Sequence, residues 1–308
     1  MKSIVALAGG VGAARFLDGL ARTVDPARLF IIGNTADDTE LHGLHISPDL
    51  DTVAYTLAGM SNPKHGWGIA GDTFHCLESL RNLGVDAWFQ LGDRDLATHL
   101  YRTVRLRQGA TLTEVTQELT AAWGVKALIA PMSDDRVRTI VKTRRGPLDF
   151  QTYFVRRRSR DTVLGVEFDG ARRAQPAAGI LDAIRNGAGV ILCPSNPIIS
   201  IGPILAVPGI RTAIRKTRAT VVAISPIVGG RALKGPAARM MKSLGMRVSA
   251  LGVAELYQDF LDVLILDGQD IKLAPRVEAL GIRAVVTDTI MTSVARKKAL
   301  ARAALDAL

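Results

Sequence analysis

Several short stretches carry residue types that can do chemistry. Ser47-Pro48-Asp49-Leu50-Asp51-Thr52 places two carboxylates two residues apart. In an extended backbone both project to one side. Such a pair holds Mg2+ while water and a substrate phosphate complete the octahedron. The same residues also read as a capped helix start, with Ser47 or an aspartate ahead of Val53–Leu57. Asn34-Thr35-Ala36-Asp37-Asp38 adds acids and an amide, or alternatively an Asx-turn. Leu91-Gly92-Asp93-Arg94-Asp95 opens a predicted helix with His99 one turn beyond Asp95. It reads as a polar site or as a surface ion-pair cluster.

Gly9-Gly10-Val11-Gly12 follows the apolar run Ile4–Ala8 and precedes a helical pattern over Ala13–Ala21. Glycines there let backbone amides approach a phosphate, and a helix N-terminus favours the anion. No Gly-Lys-Ser/Thr follows, and the full GxGxxG spacing is missing, so this is neither a Walker loop nor a complete dinucleotide fingerprint. A plain tight turn is the competing reading. Pro131-Met132-Ser133-Asp134-Asp135, Pro194-Ser195-Asn196-Pro197 and Ser225-Pro226-Ile227 each follow another short apolar run. Polar loops at five predicted strand ends point to a composite nucleotide pocket, because ligands of open α/β sheets sit outside the carboxyl ends of the strands.

The elements that must position these loops read as strands and helices in alternation. Strand candidates are Ile4–Ala8, Leu29–Ile32, Ala127–Ala130, Gly189–Cys193, Thr220–Ile224, Val263–Leu266 and Ala284–Thr287. Helical spacing falls at Thr111–Trp123, Gly179–Asn186, Gly209–Arg215, Pro236–Ser243 and Ser293–Leu305. The predicted fold is α/β: a Rossmann-like, mostly parallel sheet with helices on both faces. Residues 136–175 alternate arginine with β-branched and aromatic residues, at Val137, Thr139, Val141 and again at Phe150, Thr152, Phe154. That pattern predicts a few antiparallel strands inserted in one continuous domain over 1–308.

Composition narrows the function. Of 308 residues, 48% are hydrophobic and 22% charged, which excludes long disorder. Two cysteines exclude a disulfide scaffold, and both Cys76 and Cys193 read as buried hydrophobes. The five histidines lie between 42 and 99 without zinc-type spacing. No apolar run reaches a membrane span, and Ile4–Ala8 is too short for the apolar core of a signal peptide. A cytoplasmic location is expected. The net charge of +10 invites a nucleic-acid reading, but its layout is uneven. Residues 1–135 hold 11 basic and 16 acidic residues; 136–175 hold 11 and 4; 207–248 hold 9 and none. Aromatics at 5% are too few for stacking platforms, and no nucleic-acid motif is present. Trp67, Trp88 and Trp123 suit a flat ring, with core packing as the alternative.

Taken in order, these motifs resemble the 2-phospho-L-lactate transferase family, which makes the deazaflavin coenzyme F-420. Trp67-Gly68-Ile69, Asp72-Thr73-Phe74, Lys234-Gly235-Pro236-Ala237 and Tyr257-Gln258-Asp259-Phe260-Leu261-Asp262 extend the resemblance over the whole chain. It implies a guanosine diphospho-hydroxyacid donor carrying 2-phospholactyl, phosphoenolpyruvyl or 3-phosphoglyceryl. The implied acceptor is 7,8-didemethyl-8-hydroxy-5-deazariboflavin, whose terminal ribityl hydroxyl attacks phosphorus as GMP leaves. Mg2+ dependence and a homodimer are further implications. The resemblance assigns Asp49 and Asp51 to catalysis and metal, with Asp37 as a further ligand. Asp51, Gln90, Asp93 and His99 face the deazaflavin. Gly10, Gly12, Asn34, Thr35, Ser195, Asn196 and Ser225 face the nucleotide and phosphates. Gln90 departs from the family pattern, where a basic residue often precedes Leu-Gly-Asp-Arg-Asp. A sister group of the same fold implies the rival reading, a non-catalytic regulator that binds a uridine diphospho-sugar.

Overall fold

The computed structural model describes residues 2–308. Its main sheet has seven strands, numbered in chain order: β1 (Ile4–Ala8), β2 (Leu29–Gly33), β3 (Leu128–Pro131), β4 (Gly189–Leu192), β5 (Thr220–Ile224), β6 (Val263–Asp267) and β7 (Arg283–Thr287). Their spatial order is β7-β6-β5-β4-β1-β2-β3, and every neighbouring pair is parallel. All five residues of β1 are buried, as are all five of β6. Strands covered on both faces become near-continuous apolar runs, which is why they were readable in the sequence.

The two faces build two cores with the period of two expected of a strand. Val5 and Leu7 join one cluster, while Ile4, Ala6 and Ala8 join the other. The second cluster is closed by Phe16, Leu17 and Leu20 of helix α1 (Gly10–Ala21) and by Leu300, Ala301 and Ala304 of the C-terminal helix Val294–Asp306. The first is closed by Ile180–Asn186, Ile201–Ala206, Ile210–Lys216 and Ala250–Tyr257.

Strand order reverses at β1: β2 and β3 lie to one side, β4 to β7 to the other. The carboxyl ends of β1 and β4 therefore frame the crevice in which this architecture takes ligands. Between β2 and β3 the chain forms a small hairpin (Thr39–Leu41 with Leu44–Ile46) and helices α2 (Pro48–Leu57), α3 (His75–Asn82), α4 (Asp93–Arg107) and α5 (Leu112–Ala122). His42 and Gly43 both take positive φ at the hairpin tip, as a two-residue turn with mirror-image geometry requires. No described helix is long and apolar enough to cross a membrane.

The 136–175 stretch is an antiparallel three-stranded sheet, with Arg138–Thr143 between Gly146–Asp149 and Val163–Asp169. One expectation is corrected here. Phe150, Thr152 and Phe154 do not alternate along a strand; Thr152–Arg156 is a helical turn of the wide, π type. Asp149 starts it by accepting from the Thr152 amide and hydroxyl, and the Phe150 and Phe154 rings stack at 5.4 Å. Aromatics four residues apart meet on a helix, so the spacing carried both periods.

Candidate active site at the switch point

Asn34 leaves the end of β2 and organises the site. Its side chain is fully buried, and its Oδ1 accepts the Ala36 amide in an Asx-turn. Its Nδ2 donates to Asp49 Oδ2 at 2.9 Å and to the Ile199 carbonyl at 3.3 Å. This one amide ties the loops after β2 and β4 to helix α2. Asp38 Oδ2 accepts from Ser47 Oγ at 2.7 Å and faces His45 Nε2 at 3.0 Å. Ser47 holds the N-cap position of α2 but spends its hydroxyl on Asp38 instead of the helix.

Asp37, Asp38 and Asp49 thus gather where the order reverses. Buried Asp37 Oδ1 and Asp38 Oδ1 have no hydrogen-bond partner. Burial pushes the Asp37 carboxyl well above the ordinary range, and the negative charge of Asp49 adds to it. Burial likewise raises Asp49 to about 7, partly offset by the Asn34 amide and the Gly10 N–H. A cation beside these acids would favour their charged forms.

The expectation that Asp49 and Asp51 project to one side is corrected. Both lie in the first turn of α2, where residues two apart point about 200° apart. Asp49 faces the switch point, and Asp51 turns inward. Its two oxygens receive NH1 and NH2 of Arg102, with NH1 to Oδ2 at 3.1 Å. Arg102 is 1% exposed, and its NH1 also lies 3.5 Å from the His45 carbonyl and 3.3 Å from His99 Nδ1. Tyr55 Oη bridges Asp95 Oδ1 and Thr98 Oγ1, each at 2.7 Å. His99 is buried in this network, with Nε2 3.3 Å from Asp95. Asp51 and His99 therefore sit behind the site, tying α2 to α4.

Asp93 also has a structural duty. It accepts from Thr73 Oγ1 and from the His75 and Cys76 amides, so it caps α3. The Thr73 hydroxyl bond, foremost, holds its carboxyl below the ordinary range. Asp72 caps α4 in return, accepting the Arg94 and Asp95 amides. Gln90 is exposed just before α4. Cys193 is buried, but Cys76 is exposed, which corrects that expectation: it occupies the solvent-facing first turn of α3.

The glycine turn is tight because protein groups press on it. A β-carbon at Gly9 would lie 2.5 Å from Ser200 Cβ and 2.8 Å from Asp49 Oδ2; at Gly12 it would lie 2.2 Å from the Pro194 carbonyl oxygen. Ser195 Oγ accepts the Gly9 amide and donates to the Gly9 carbonyl, locking the loops after β1 and β4 together. Asn196 Oδ1 takes the Ile198 and Ile199 amides, and Ser225 Oγ bonds both polar groups of Ile227.

A cavity of about 680 Å3 opens beside the acids. Thr35, Asp37 and Asp38 form one wall, with Trp88 and Phe150 contributing aromatic surface. Buried Thr35 Oγ1 and Thr139 Oγ1 have no partner there. The volume suits a ligand of cofactor size. Trp123, by contrast, packs on Tyr55 at 5.2 Å, and Trp67 is exposed. Arg102, Tyr55 and Ser200 had no role in the sequence reading, and Asp38 entered it only as one of the two adjacent acids after β2. The one available signal was Asp95, His99 and Arg102 recurring on one face of a helix.

The reversed strand order, the polar loops at β1, β2 and β4, and the cavity walled in part by Asp37 and Asp38 define a Rossmann-like α/β protein. A family profile described as "2-phospho-L-lactate transferase CofD" matches residues 4–302. A 2-phospho-L-lactate transferase of Methanosarcina mazei is 41% identical over 304 residues, covering 99% of this chain and 100% of that protein. A phosphoenolpyruvate transferase of Streptomyces avermitilis is 46% identical over 308 residues, covering 98% and 97%. The crystal structure of a UPF0052-family protein from Bacillus halodurans matches with a TM-score of 0.64 at 16% identity, covering 99% and 98%, a likeness of fold. The chain belongs to the 2-phospho-L-lactate transferase family. It is a transferase.

Proposed function

We propose that the protein transfers a phospho-hydroxyacid from a guanosine diphospho donor to the ribityl hydroxyl of 7,8-didemethyl-8-hydroxy-5-deazariboflavin, releasing GMP, in coenzyme F-420 biosynthesis. The observation that carries the reading is the pair of unpartnered carboxylate oxygens, Asp37 Oδ1 and Asp38 Oδ1, at a cavity with aromatic surface in a chain of this family. Relatives named for 2-phospho-L-lactate and for phosphoenolpyruvate both match, which supports a donor that carries a phospho-hydroxyacid of this kind.

The residues present fit Mg2+. Asp37 Oδ1 is a buried acceptor without a donor, and Asp49 lies close enough to raise it. No group of three or more His, Cys, Asp or Glu forms a metal cage among the described residues. Mg2+ needs none, since one or two carboxylates with substrate phosphate and water suffice. Asp37 and Asp49 would hold the ion, and Asp51, engaged by Arg102, would anchor α2 instead. Bound there, Mg2+ would offset charge building on the phosphates.

The rest of the work belongs to this chain. Phosphoryl transfer relies on positioning and charge stabilisation more than on covalent steps. Asn34 fixes the Asp49 carboxylate, and Arg102 fixes the helix that carries it. The cavity beside Trp88 and Phe150 would take the flat acceptor and exclude water around its hydroxyl. That oxygen forms the new P–O bond, its proton is released, and the bond to the GMP oxygen breaks. Guanosine and phosphate contacts would come from the loops after β1 and β4, which hold Gly10, Gly12, Ser195 and Asn196.

Thermal shift with guanosine against uridine nucleotides, with deazaflavin fluorescence measured in parallel, separates this reading from a nucleotide-sugar regulator. Stabilisation by GDP and quenching of deazaflavin are expected. Selective stabilisation by a uridine diphospho-sugar, with no deazaflavin binding, would overturn the reading.

A further inference from the structure

Lys234 lies in the loop between Arg231–Ala232 and the helix Ala237–Ser243. Its Nζ reaches across the molecule to the His65 carbonyl at 3.1 Å. That places the ammonium against the turn after β1. A β-carbon built on Gly66 would lie 2.6 Å from Val11 Cγ1 and 3.6 Å from Lys234 Nζ. Arg15 follows Val11 by four residues on α1, hence on the same face. Neither Arg15 nor Lys234 has a carboxylate within 4 Å among the described residues. Yet the first 135 residues, which supply Arg15 and the turn, hold more acids than bases.

Partial burial lowers the Lys234 ammonium, and the nearby Arg15 charge lowers it further. Two cations held together without a counter-charge are unfavourable alone and favourable around an anion. A guanidinium offers a fork to phosphate oxygens, and an ammonium offers a compact charge. Lys234 uses one of its three donors on His65 and keeps two. The position lies beside the Gly9–Gly12 turn, next to the Val11 side chain.

We propose that Arg15 and Lys234 form an anion subsite that grips the phosphate oxygens of a nucleoside diphosphate donor. The identity of that anion rests on the donor reading given above; the existence of the subsite does not.

Isothermal titration of the whole protein with GDP and, separately, inorganic pyrophosphate tests this without turnover. Variants are Arg15→Ala, Lys234→Ala, Lys234→Arg and the double alanine. Both side chains are solvent-accessible, so circular dichroism and the melting temperature should stay at wild-type values. Each single alanine should weaken GDP roughly 10- to 100-fold, as loss of a charged hydrogen bond does. Lys234→Arg should keep most of the affinity. The salt dependence of binding should flatten in the double variant. The affinity for the deazaflavin, followed by its fluorescence, should not move. Wild-type affinity for both ligands in the double variant overturns the subsite while leaving the donor reading intact. Pyrophosphate binding that is lost in the variants, with no GDP binding by the wild type, supports the subsite and sinks the donor reading. No binding of either anion by the wild type overturns both.

Discussion

Removing the Arg102 guanidinium should cost more stability than any surface substitution in this chain. Arg102 is 1% exposed and Asp51 5% exposed, so neither can fall back on water. Arg102→Ala abolishes both contacts to Asp51, the approach to the His45 carbonyl and the contact to His99 Nδ1. It leaves a buried carboxylate unpaired, which costs about 3–5 kcal/mol when one partner of such a pair is deleted. That is a large share of a typical folding free energy of about 5–15 kcal/mol. Urea unfolding followed by tryptophan fluorescence reads it directly, because Trp123 packs on Tyr55 in the same network. Asp51→Asn should also destabilise, by leaving the guanidinium unpaired. The double variant Asp51→Asn/Arg102→Ala should be less damaged than the two single losses added together, by about 2 kcal/mol or more. The sign of that coupling separates an ion pair from mere loss of packing, since cavities alone would add. A loss below about 1 kcal/mol for Arg102→Ala, or additive single effects, would refute the assignment of Asp51 to an anchoring pair.

Three further outcomes follow from the site. Asp37→Asn and Asp49→Asn should each cut turnover by about 100-fold or more in steady-state assays while the circular dichroism spectrum is retained, because charge stabilisation of this kind is worth several kcal/mol. The pH dependence has a definite sign: Asp49 is raised to about 7 in the folded state, so its contribution to stability is full at low pH and is lost as pH climbs from about 4 to about 7. In metal-free buffer the melting temperature should fall across that window, and Mg2+ should raise it more at pH 8 than at pH 5, as calorimetry can check. Trp88→Ala should raise KM for the deazaflavin roughly 3- to 10-fold with little change in kcat, the scale of one aromatic contact; an unchanged KM would remove Trp88 from the acceptor wall.

Much of the sheet was legible because buried parallel strands announce themselves as short apolar runs ended by glycine or polar residues. The loops at their ends were legible for the same reason, which located the crevice before any side chain was placed. What escaped was tertiary. The Asp49–Asp51 spacing suits both a strand and a helix start, and the structure takes the helix start, with Ser47 at its N-cap position. The Asp72 and Asp93 caps exchange partners across about twenty residues, a pairing no local pattern encodes. Arg102 is a buried cation in a helix whose start read as a polar site or a surface ion-pair cluster, and nothing short of packing α4 on α2 reveals its partner. Phe150 and Phe154 misled because aromatic spacing alone did not distinguish a strand from a wide helical turn.

Turnover with purified components tests the proposed transfer most directly. Purified protein, Mg2+, the deazaflavin and each of the three guanosine diphospho donors are combined, and products are counted by mass spectrometry. One donor should yield GMP and a phosphodiester deazaflavin in equal amounts, and Asp37→Asn should abolish both together. No phosphodiester product from any of the three donors, or GMP released without deazaflavin being consumed, would contradict it.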